Sequence, residues 1–178
     1  MAVFFDSNRR SSGFTLLELI VGAFVISIMA TYSAAAITDA VHNFRLSAAS
    51  SKILHDLRYA QHQSMNKNGW YGVEFFAGTS AGSYHVYFTD GTTDTDVIDP
   101  ANRAAFLSVN LGQSFSVTLS SVNIDGGNKV EFDPRGRPYD DKNGSALLLD
   151  GSLLLVSGGK SKIILIFKET GRVDALWN

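Results

Sequence analysis

One acidic side chain, Glu18, stands near the start of a long apolar stretch that contains no lysine, arginine or histidine. The stretch covers residues 14–37, FTLLELIVGAFVISIMATYSAAAI, and its polar residues are otherwise small ones such as Thr15 and Ser27. A carboxylate without a partner inside lipid costs at least about 2.5–3.5 kcal/mol. Glu18 therefore needs a cationic partner or a function. Cleavage of the chain before Phe14 would create an amine one helical turn away, at spacing i, i+4.

The apolar stretch is long enough to cross a membrane. Its 24 residues would extend roughly 36 Å as a helix, and a hydrocarbon core is about 30 Å thick. Arg9 and Arg10 precede it, which predicts a cytoplasmic amino end and a head outside the cytoplasm. Two plainer interpretations stay open: a secretory signal cut near residues 33–36, and an uncut signal anchor. Neither explains Glu18.

The composition describes a folded chain without thiol chemistry. Hydrophobic residues make up 45% and charged residues 18% of the 178 residues, which argues against disorder as the main state. The net charge of −2 excludes a strongly basic protein, although a local basic patch stays open. Because cysteine is absent, disulfides, thiolate zinc sites and thiol nucleophiles are excluded.

The helix is predicted to continue through residues 38–68, where no proline or glycine interrupts the sequence, and to stop at Gly69. Apolar residues at helical spacing predict a stripe that packs on a globular head. The members of this predicted stripe are Val41, Phe44, Ala48, Ile53, Leu57 and Ala60.

Residues 69–178 read as a β-rich head, in which short apolar segments alternate with glycine-containing turns. We predict hairpins between residues 70–76 and 83–89, between 106–111 and 115–120, and between 146–149 and 153–156. Single strands are predicted at 129–133, 163–167 and 172–176, and a surface loop at 90–103. The fold class is therefore α+β, a long amino-terminal helix packed against an antiparallel, sandwich-like head.

The segment Gly13–Ile20, GFTLLELI, resembles the prepilin signal of type IV pilins and type II secretion pseudopilins. The resemblance implies that a prepilin peptidase cuts between Gly13 and Phe14 and N-methylates Phe14. It also implies that the carboxylate of Glu18 helps a subunit to enter a filament by meeting a neighbour's amino terminus. Residues 1–13 would then be a leader peptide.

Two segments of the head extend the resemblance. Residues 132–138, FDPRGRP, and residues 171–173, GRV, are similar to turns of the GspH/FimT family of minor pseudopilins and minor pilins. The family implies strands packed on the long helix, no enzymatic activity and no cofactor. It leaves two functions open: a subunit of the type II secretion pseudopilus, and a minor type IV pilin for pilus assembly or DNA uptake.

The implied partners are the prepilin peptidase, other pseudopilins or pilins, the inner-membrane assembly platform and a secreted substrate. The implied location is the inner membrane, with a single pass and a periplasmic head, followed by the filament. DNA is an unfavoured partner, because Asp174 follows Arg172-Val173 in the tail, where a second basic residue would help to bind phosphates. Arg135, Arg137 and Lys142 could form another basic patch, but Asp133, Asp140 and Asp141 dilute it. A third possibility is a membrane-anchored binding module that never polymerises.

Other clusters have weaker interpretations. Four aspartates at positions 90, 94, 96 and 99 could bind Ca²⁺, although their spacing does not match an EF-hand. His55 and His62 are two helical turns apart, too far to bind one metal ion without a third ligand. Trp70 and Trp177 are predicted to be core or interface anchors. Nucleophile elbows and phosphate-binding glycine loops are absent from the sequence.

Overall fold

The computed structural model describes residues 14–78 and 82–177. The chain divides into two compact units, with the boundary between Asp39 and Ala40. Gly13, Arg9 and Arg10 lie outside the described residues, as does the centre of the loop predicted between residues 76 and 83. In chain order the elements are α1 (Leu16–Lys67), β1 (Trp70–Phe76), β2 (Ser83–Thr89), β3 (Asp94–Asp96), β4 (Ser108–Asn110), α2 (Leu111–Phe115), β5 (Thr118–Asn123), β6 (Lys129–Phe132), β7 (Pro138–Tyr139), β8 (Gly151–Ser157), β9 (Lys160–Ile166) and β10 (Val173–Trp177).

Helix α1 is 52 residues long and ends one residue before the predicted boundary. Asn68 adopts the left-handed conformation, with φ of 49°. The N–H of Gly69 then donates to the carbonyl oxygen of Ser64 at 3.1 Å. This six-to-one hydrogen bond is a typical helix ending, but the left-handed residue is the asparagine before the glycine.

The face of α1 that packs on the head differs in part from the predicted stripe. Ile53, Leu57 and Ala60 are buried as expected, together with Leu46 and Ala49. Val41 and Phe44 were expected to be buried and are 39% and 75% exposed. Phe44 precedes Leu46 by two residues, which places it about 200° around the helix axis. The buried stripe of α1 therefore contains Leu46, and Phe44 lies on the opposite, exposed face of the helix.

The head contains two antiparallel sheets. The first has six strands in the order β3-β2-β1-β6-β7, with β4 also paired to β2. The second has four strands in the order β10-β9-β8-β5. In β8 the burial alternates strictly, so that Leu153 and Leu155 point inward and their neighbours do not. Their side chains join those of both sheets and of α1 in one hydrophobic core.

Two of the predicted hairpins are wrong. β4 pairs with β2 and β5 pairs with β8, while residues 111–115 between them form the short helix α2. Residues 146–149 form no strand, and β8 pairs instead with β9 across the glycine pair Gly158-Gly159. Both glycines have positive φ values, of 56° and 78°, as a two-residue hairpin turn requires. The Gly158-Gly159 pair is therefore the stronger hairpin signal, and the Asp150-Gly151 pair, which was expected to form a hairpin turn, is the weaker one.

The loop predicted at residues 90–103 contains the short edge strand β3, and β7 was not predicted at all. Both strands are too short to show periodicity. The first hairpin and the strands β6, β9 and β10 are found close to their predicted positions. The α+β class, a long helix with an antiparallel head, is confirmed.

Candidate functional site

The amino end of α1 has a side-chain cap. Thr15 Oγ1 accepts a hydrogen bond from the backbone N–H of Glu18 at 3.2 Å. The carbonyl oxygen of Thr15 accepts the N–H of Leu19, also at 3.2 Å. Thr15 is therefore the N-cap residue, and Thr15-x-x-Glu18 has the spacing of a capping box. This cap was not predicted from the sequence, although the threonine three residues before the glutamate signals it.

Phe14 and Glu18, two of the three residues predicted to act in processing and assembly, lie together at this end. Phe14 directly precedes the cap and is 79% exposed. Glu18 is exposed in the first turn of α1, and within residues 14–78 and 82–177 it forms no ion pair. A negative charge in the first turn is stabilised by the helix dipole. The third residue, Gly13, lies outside the described part of the chain.

In the apolar part of α1, three side-chain hydroxyl groups are hydrogen-bonded within the helix itself. Ser27, Thr31 and Ser33 donate their hydroxyl hydrogens to carbonyl oxygens four residues earlier, at 2.8, 2.9 and 2.9 Å. No hydroxyl among these three needs an external partner, which suits a hydrocarbon environment. Within the described residues, α1 is the one helix that is long and apolar enough to cross a membrane.

In the head, the predicted turn at residues 132–138 is organised around a buried carboxylate. Asp133 is 4% exposed. Its Oδ1 accepts the N–H groups of Arg135 and Arg137 at 2.8 and 2.9 Å. Its Oδ2 accepts hydrogen bonds from Nε and from one terminal nitrogen of Arg137, at 2.9 and 2.8 Å. The side-chain hydrogen bonds to Asp133, followed by its negative charge, raise the pKa of Arg137.

The two turns singled out in the sequence lie side by side. Gln61 Nε2 on α1 donates to the carbonyl oxygen of Gly136 at 2.8 Å and to that of Thr170 at 3.0 Å. Gly171 fits between them, because an added Cβ would lie 2.7 Å from Gln61 Nε2 and 2.9 Å from the Gly136 oxygen. Gln61 was also not predicted from the sequence, and no local pattern identifies it.

The three arginines considered for nucleic-acid contact do not form one free basic patch. Arg137 is paired with Asp133, and Arg172 is paired with Asp174 at 3.0 Å. Arg172 also stacks over the ring of Phe167, 4.4 Å from its centroid. Arg135 is exposed, and its side chain has no partner among the described residues. Two of the three charges are therefore locally balanced.

The aspartates of the loop at residues 90–99 point to different partners. Asp90 Oδ1 accepts the hydroxyl and N–H of Thr92, at 2.7 and 2.8 Å, and the N–H of Thr93 at 2.7 Å. These hydrogen bonds lower the pKa of Asp90 to about 2. Asp96 pairs with His85 Nδ1 at 2.8 Å. In the part of the chain that the structure describes, no three or more histidine, aspartate or glutamate side chains come together in a group that could hold a metal ion.

The histidines of α1 also have separate environments. His42 Nδ1 lies 3.0 Å from Ser157 Oγ at the end of β8. His55 Nδ1 lies 3.2 Å from the buried Asp56, which also accepts the hydroxyl of Tyr84 at 2.7 Å. Asp56 further pairs with Lys52 at 2.7 Å. The contacts with Ser157 and Tyr84 join the helix to the two sheets, whereas His55 and Lys52 contact Asp56 within α1.

The two tryptophans lie on different sheets. Trp70 is half-buried and meets Tyr139 edge-on, with the ring centroids 5.0 Å apart. Trp177 is 54% exposed and covers the ammonium group of Lys162, 4.6 Å from the ring centroid. Trp70 therefore packs between strands, whereas Trp177 presents a large aromatic surface at the edge strand β10.

Comparison with known proteins supports the interpretation of the amino end. Residues 8–34 match the family model of the prokaryotic N-terminal methylation motif. That match covers Phe14, Glu18 and most of the apolar stretch. Among curated proteins, none matched the sequence significantly.

The structure resembles two solved pilin-like structures. The minor pseudopilin EpsH of the type 2 secretion system of Vibrio cholerae aligns with a TM-score of 0.52 and 9% identity, over 75% of this chain and 97% of EpsH. The type IV minor pilin FimU of Pseudomonas aeruginosa aligns with a TM-score of 0.48 and 13% identity, over 75% of this chain and 90% of FimU. The EpsH alignment establishes a shared fold. The chain therefore carries a prokaryotic N-terminal methylation motif at residues 8–34 and shares the fold of the minor pseudopilin EpsH.

Proposed function

We propose that this protein is a minor pseudopilin, a structural and non-catalytic subunit of a type II secretion pseudopilus that supports export of folded proteins across the outer membrane. The observation that carries the proposal is the amino end of α1. Glu18 lies in the capped first turn of α1, four residues after Phe14, in an exposed and apolar part of the helix and within a methylation motif. The EpsH-like head adds the expected fold.

The proposed processing step prepares this end for assembly. A prepilin peptidase cuts between Gly13 and Phe14 and methylates the new amine of Phe14. The positive amine then meets the carboxylate of Glu18 in the same subunit or in a neighbour, which removes the cost of an unpaired carboxylate in an apolar environment. Thr15 keeps the first turn formed, because its hydroxyl holds the N–H of Glu18.

The proposed assembly exchanges one apolar environment for another. Before assembly, the apolar stretch of residues 14–37 lies in the inner membrane, with the amino end cytoplasmic and the head periplasmic. In the filament they pack against the helices of other pseudopilins or pilins, supplied through the inner-membrane assembly platform. The head then presents its surface to neighbouring subunits or to a secreted substrate.

The same motif and fold support a minor type IV pilin, for pilus assembly or DNA uptake, equally well. The arginine pairs with Asp133 and Asp174 argue against strong DNA binding, because paired guanidinium groups attract phosphates less. Deletion of the gene distinguishes the two machines. Loss of exoprotein secretion with intact pili supports the pseudopilin, whereas loss of pili or of DNA uptake with intact secretion supports the pilin.

Processing of the amino end tests both versions. The full chain is expressed with and without a prepilin peptidase, and the amino end is read by mass spectrometry. We expect a chain that begins at N-methylated Phe14 only when the peptidase is present. An uncut chain, or a cut near residue 36, would overturn the proposal and leave an anchored or secreted β-rich domain.

A further inference from the structure

An exposed tryptophan covers a buried lysine where β10 pairs with the start of β9. Trp177 is 54% exposed, whereas its cross-strand partner Lys162 is 9% exposed. The ammonium group of Lys162 lies 4.6 Å from the centroid of the Trp177 ring and 3.5 Å from Ser47 Oγ on α1. Among the described residues Lys162 forms no ion pair, and its burial lowers its pKa. A cation so placed gains from an anion that approaches it from outside.

This pair lies at the end of the head where α1 enters it. The Lys162 ammonium reaches both groups, so Trp177 lies beside Ser47 on α1. At the same end, His42 Nδ1 lies 3.0 Å from Ser157 Oγ, at the turn between β8 and β9. We call this surface the proximal end, and define it by residues 41–47, 156–162 and 175–177.

The proximal end is apolar and positively charged. Phe44 is 75% exposed on α1, one turn before Ser47, and Leu176 beside Trp177 is 53% exposed. The ionised side chains of the proximal end are Arg45, Lys160 and Lys162. Asp39, directly before it, adds one carboxylate. The local charge is therefore positive, although the whole chain carries −2.

The apolar stretch determines which surface this end meets first. Phe44 follows Ile37, the last residue of the stretch, by seven positions, which is about 10 Å of helix. The headgroup layer occupies roughly 5–8 Å on each side of the hydrocarbon core. Helical side chains point towards the amino end, so that of Phe44 reaches back into this layer. A typical helix tilt of about 20° brings one side of the head closer to the bilayer.

The side chains of the proximal end suit a bilayer surface. Tryptophan is enriched in the headgroup layer, because its ring is apolar and its N–H can reach water or a headgroup. Lysine and arginine near a bilayer are attracted by anionic lipids. Lys162 adds a cation that forms no ion pair among the described residues, directly beneath the Trp177 ring.

We propose that the proximal end of the head rests on the periplasmic leaflet of the membrane before assembly, with Phe44 and Trp177 in the headgroup layer and Lys162 beside lipid phosphates. This contact rests on the proposed insertion of α1 in the membrane. It holds the head in one orientation on the bilayer, and it breaks when the subunit leaves the membrane for a filament.

The two tryptophans of the chain give a test with an internal control. Trp177 lies beside Ser47, whereas Trp70 follows the end of α1, roughly 30 Å farther along the helix. The full chain is reconstituted as Trp70→Phe and as Trp177→Phe. The vesicles contain phosphatidylglycerol and a lipid with a nitroxide quencher near its headgroup. We expect the nitroxide to quench Trp177 at least fivefold more strongly than Trp70.

Two charge substitutions in the Trp70→Phe chain test the lysine. Lys162→Gln removes the proposed phosphate contact. Arg135→Gln is the matched control, because Arg135 is exposed in the β6–β7 turn, which contacts α1 at Gln61. When phosphatidylcholine replaces phosphatidylglycerol, quenching of Trp177 should fall at least twofold in the Arg135→Gln chain. It should hardly change in the Lys162→Gln chain, and an equal fall in both chains overturns the contact of Lys162 with phosphates.

Phe44→Glu tests the apolar part of the contact without touching the core, since this side chain is exposed. It should reduce quenching of Trp177 at least threefold. Flotation of the vesicles in a sucrose gradient measures insertion separately. A chain that does not float with the vesicles overturns both the proposed insertion and this contact. A chain that floats, but whose two tryptophans are quenched equally, overturns the contact alone.

Discussion

Gln61 and Gly136 lie 75 residues apart in the sequence and are joined by a hydrogen bond of 2.8 Å from Nε2 to the backbone carbonyl oxygen. The same amide nitrogen also holds the carbonyl oxygen of Thr170. One side chain of α1 thus fixes the relative position of the β6–β7 turn and the β9–β10 loop. Both segments carry the motifs that resemble the GspH/FimT family, which gives these motifs a structural function in the head.

Replacement of Gln61 by alanine removes both hydrogen bonds. We expect Gln61→Ala to lower the free energy of unfolding of the head by about 1–2 kcal/mol, because two carbonyl groups lose their donor. Urea denaturation of the full chain in detergent, followed by tryptophan fluorescence, measures this change. Gln63→Ala is the matched control, since Gln63 is half-buried on the same helix and its side chain has no hydrogen bond among the described residues. Equal effects of the two substitutions would contradict the prediction.

Gly171 is required for two reasons, and a pair of substitutions separates them. Gly171 has a φ of 65° and Gly159 a φ of 78°, so alanine is strained at both positions by about 1 kcal/mol. A Cβ at Gly159 meets no atom within 4 Å, whereas a Cβ at Gly171 lies 2.9 Å from the backbone oxygen of Gly136. We therefore expect Gly171→Ala to destabilise the head by about 1–3 kcal/mol more than Gly159→Ala, in the range of overpacking. The same denaturation measurement checks this, and a smaller gap would show that the turn can move away.

The head should lose stability at alkaline pH through two buried phenols. Burial, followed by the charge and the hydrogen bond of Asp56, raises the pKa of Tyr84. Burial, followed by the hydrogen bond of Glu131, raises the pKa of Tyr87. In the unfolded chain a tyrosine titrates near pH 10. The folded head therefore keeps protons that the unfolded chain releases above about pH 10, so this stability is present below that pH and is lost as the pH rises.

Denaturation curves between pH 8 and pH 11.5 test this dependence. Each retained proton contributes a slope of about 1.4 kcal/mol per pH unit above pH 10. Tyr84→Phe and Tyr87→Phe should each reduce the slope. Tyr71→Phe serves as the control, because Tyr71 is 6% exposed and its hydroxyl has no carboxylate partner among the described residues. A slope that survives the double substitution would refute the assignment to these two tyrosines.

The charge of Glu18 is predicted to matter for assembly and not for helix formation. Glu18→Gln keeps a residue that suits the capping-box position but removes the carboxylate. We expect normal cleavage before Phe14 and at least a tenfold loss of incorporation into filaments, measured by mass spectrometry and by immunoblotting of sheared filaments. A plain membrane anchor would tolerate the change.

Thr15→Ala provides the complementary control, since it removes the cap of Glu18 N–H and leaves the carboxylate. We expect a small effect on assembly, because the loss of an N-cap costs about 1 kcal/mol and the helix is 52 residues long. If Thr15→Ala reduced assembly as strongly as Glu18→Gln, the glutamate would act through the helix end and not through its charge.

Local patterns were sufficient for the long helix and for the amino end. The uninterrupted run up to Asn68 and the apolar stretch depend on neighbours within about four residues. These interactions act in any fold, so the sequence predicts them well. The regular strands β1, β2, β8 and β9 were similarly visible, since their side chains alternate or are mostly apolar.

The amino-acid sequence by itself thus determined the helix, the single carboxylate in its apolar part and the β-rich class of the head. Only the tertiary structure decided which strands pair, which face of α1 is buried and which turns meet. Phe44 has the right spacing for a buried residue, yet the sheets of the head pack against the face of α1 that contains Leu46. Residues 106–120 resemble a hairpin, yet β4 and β5 join different sheets. Gln61, Gly136 and Gly171 come together because contacts between distant segments are set by packing of the whole core, and no local pattern records them.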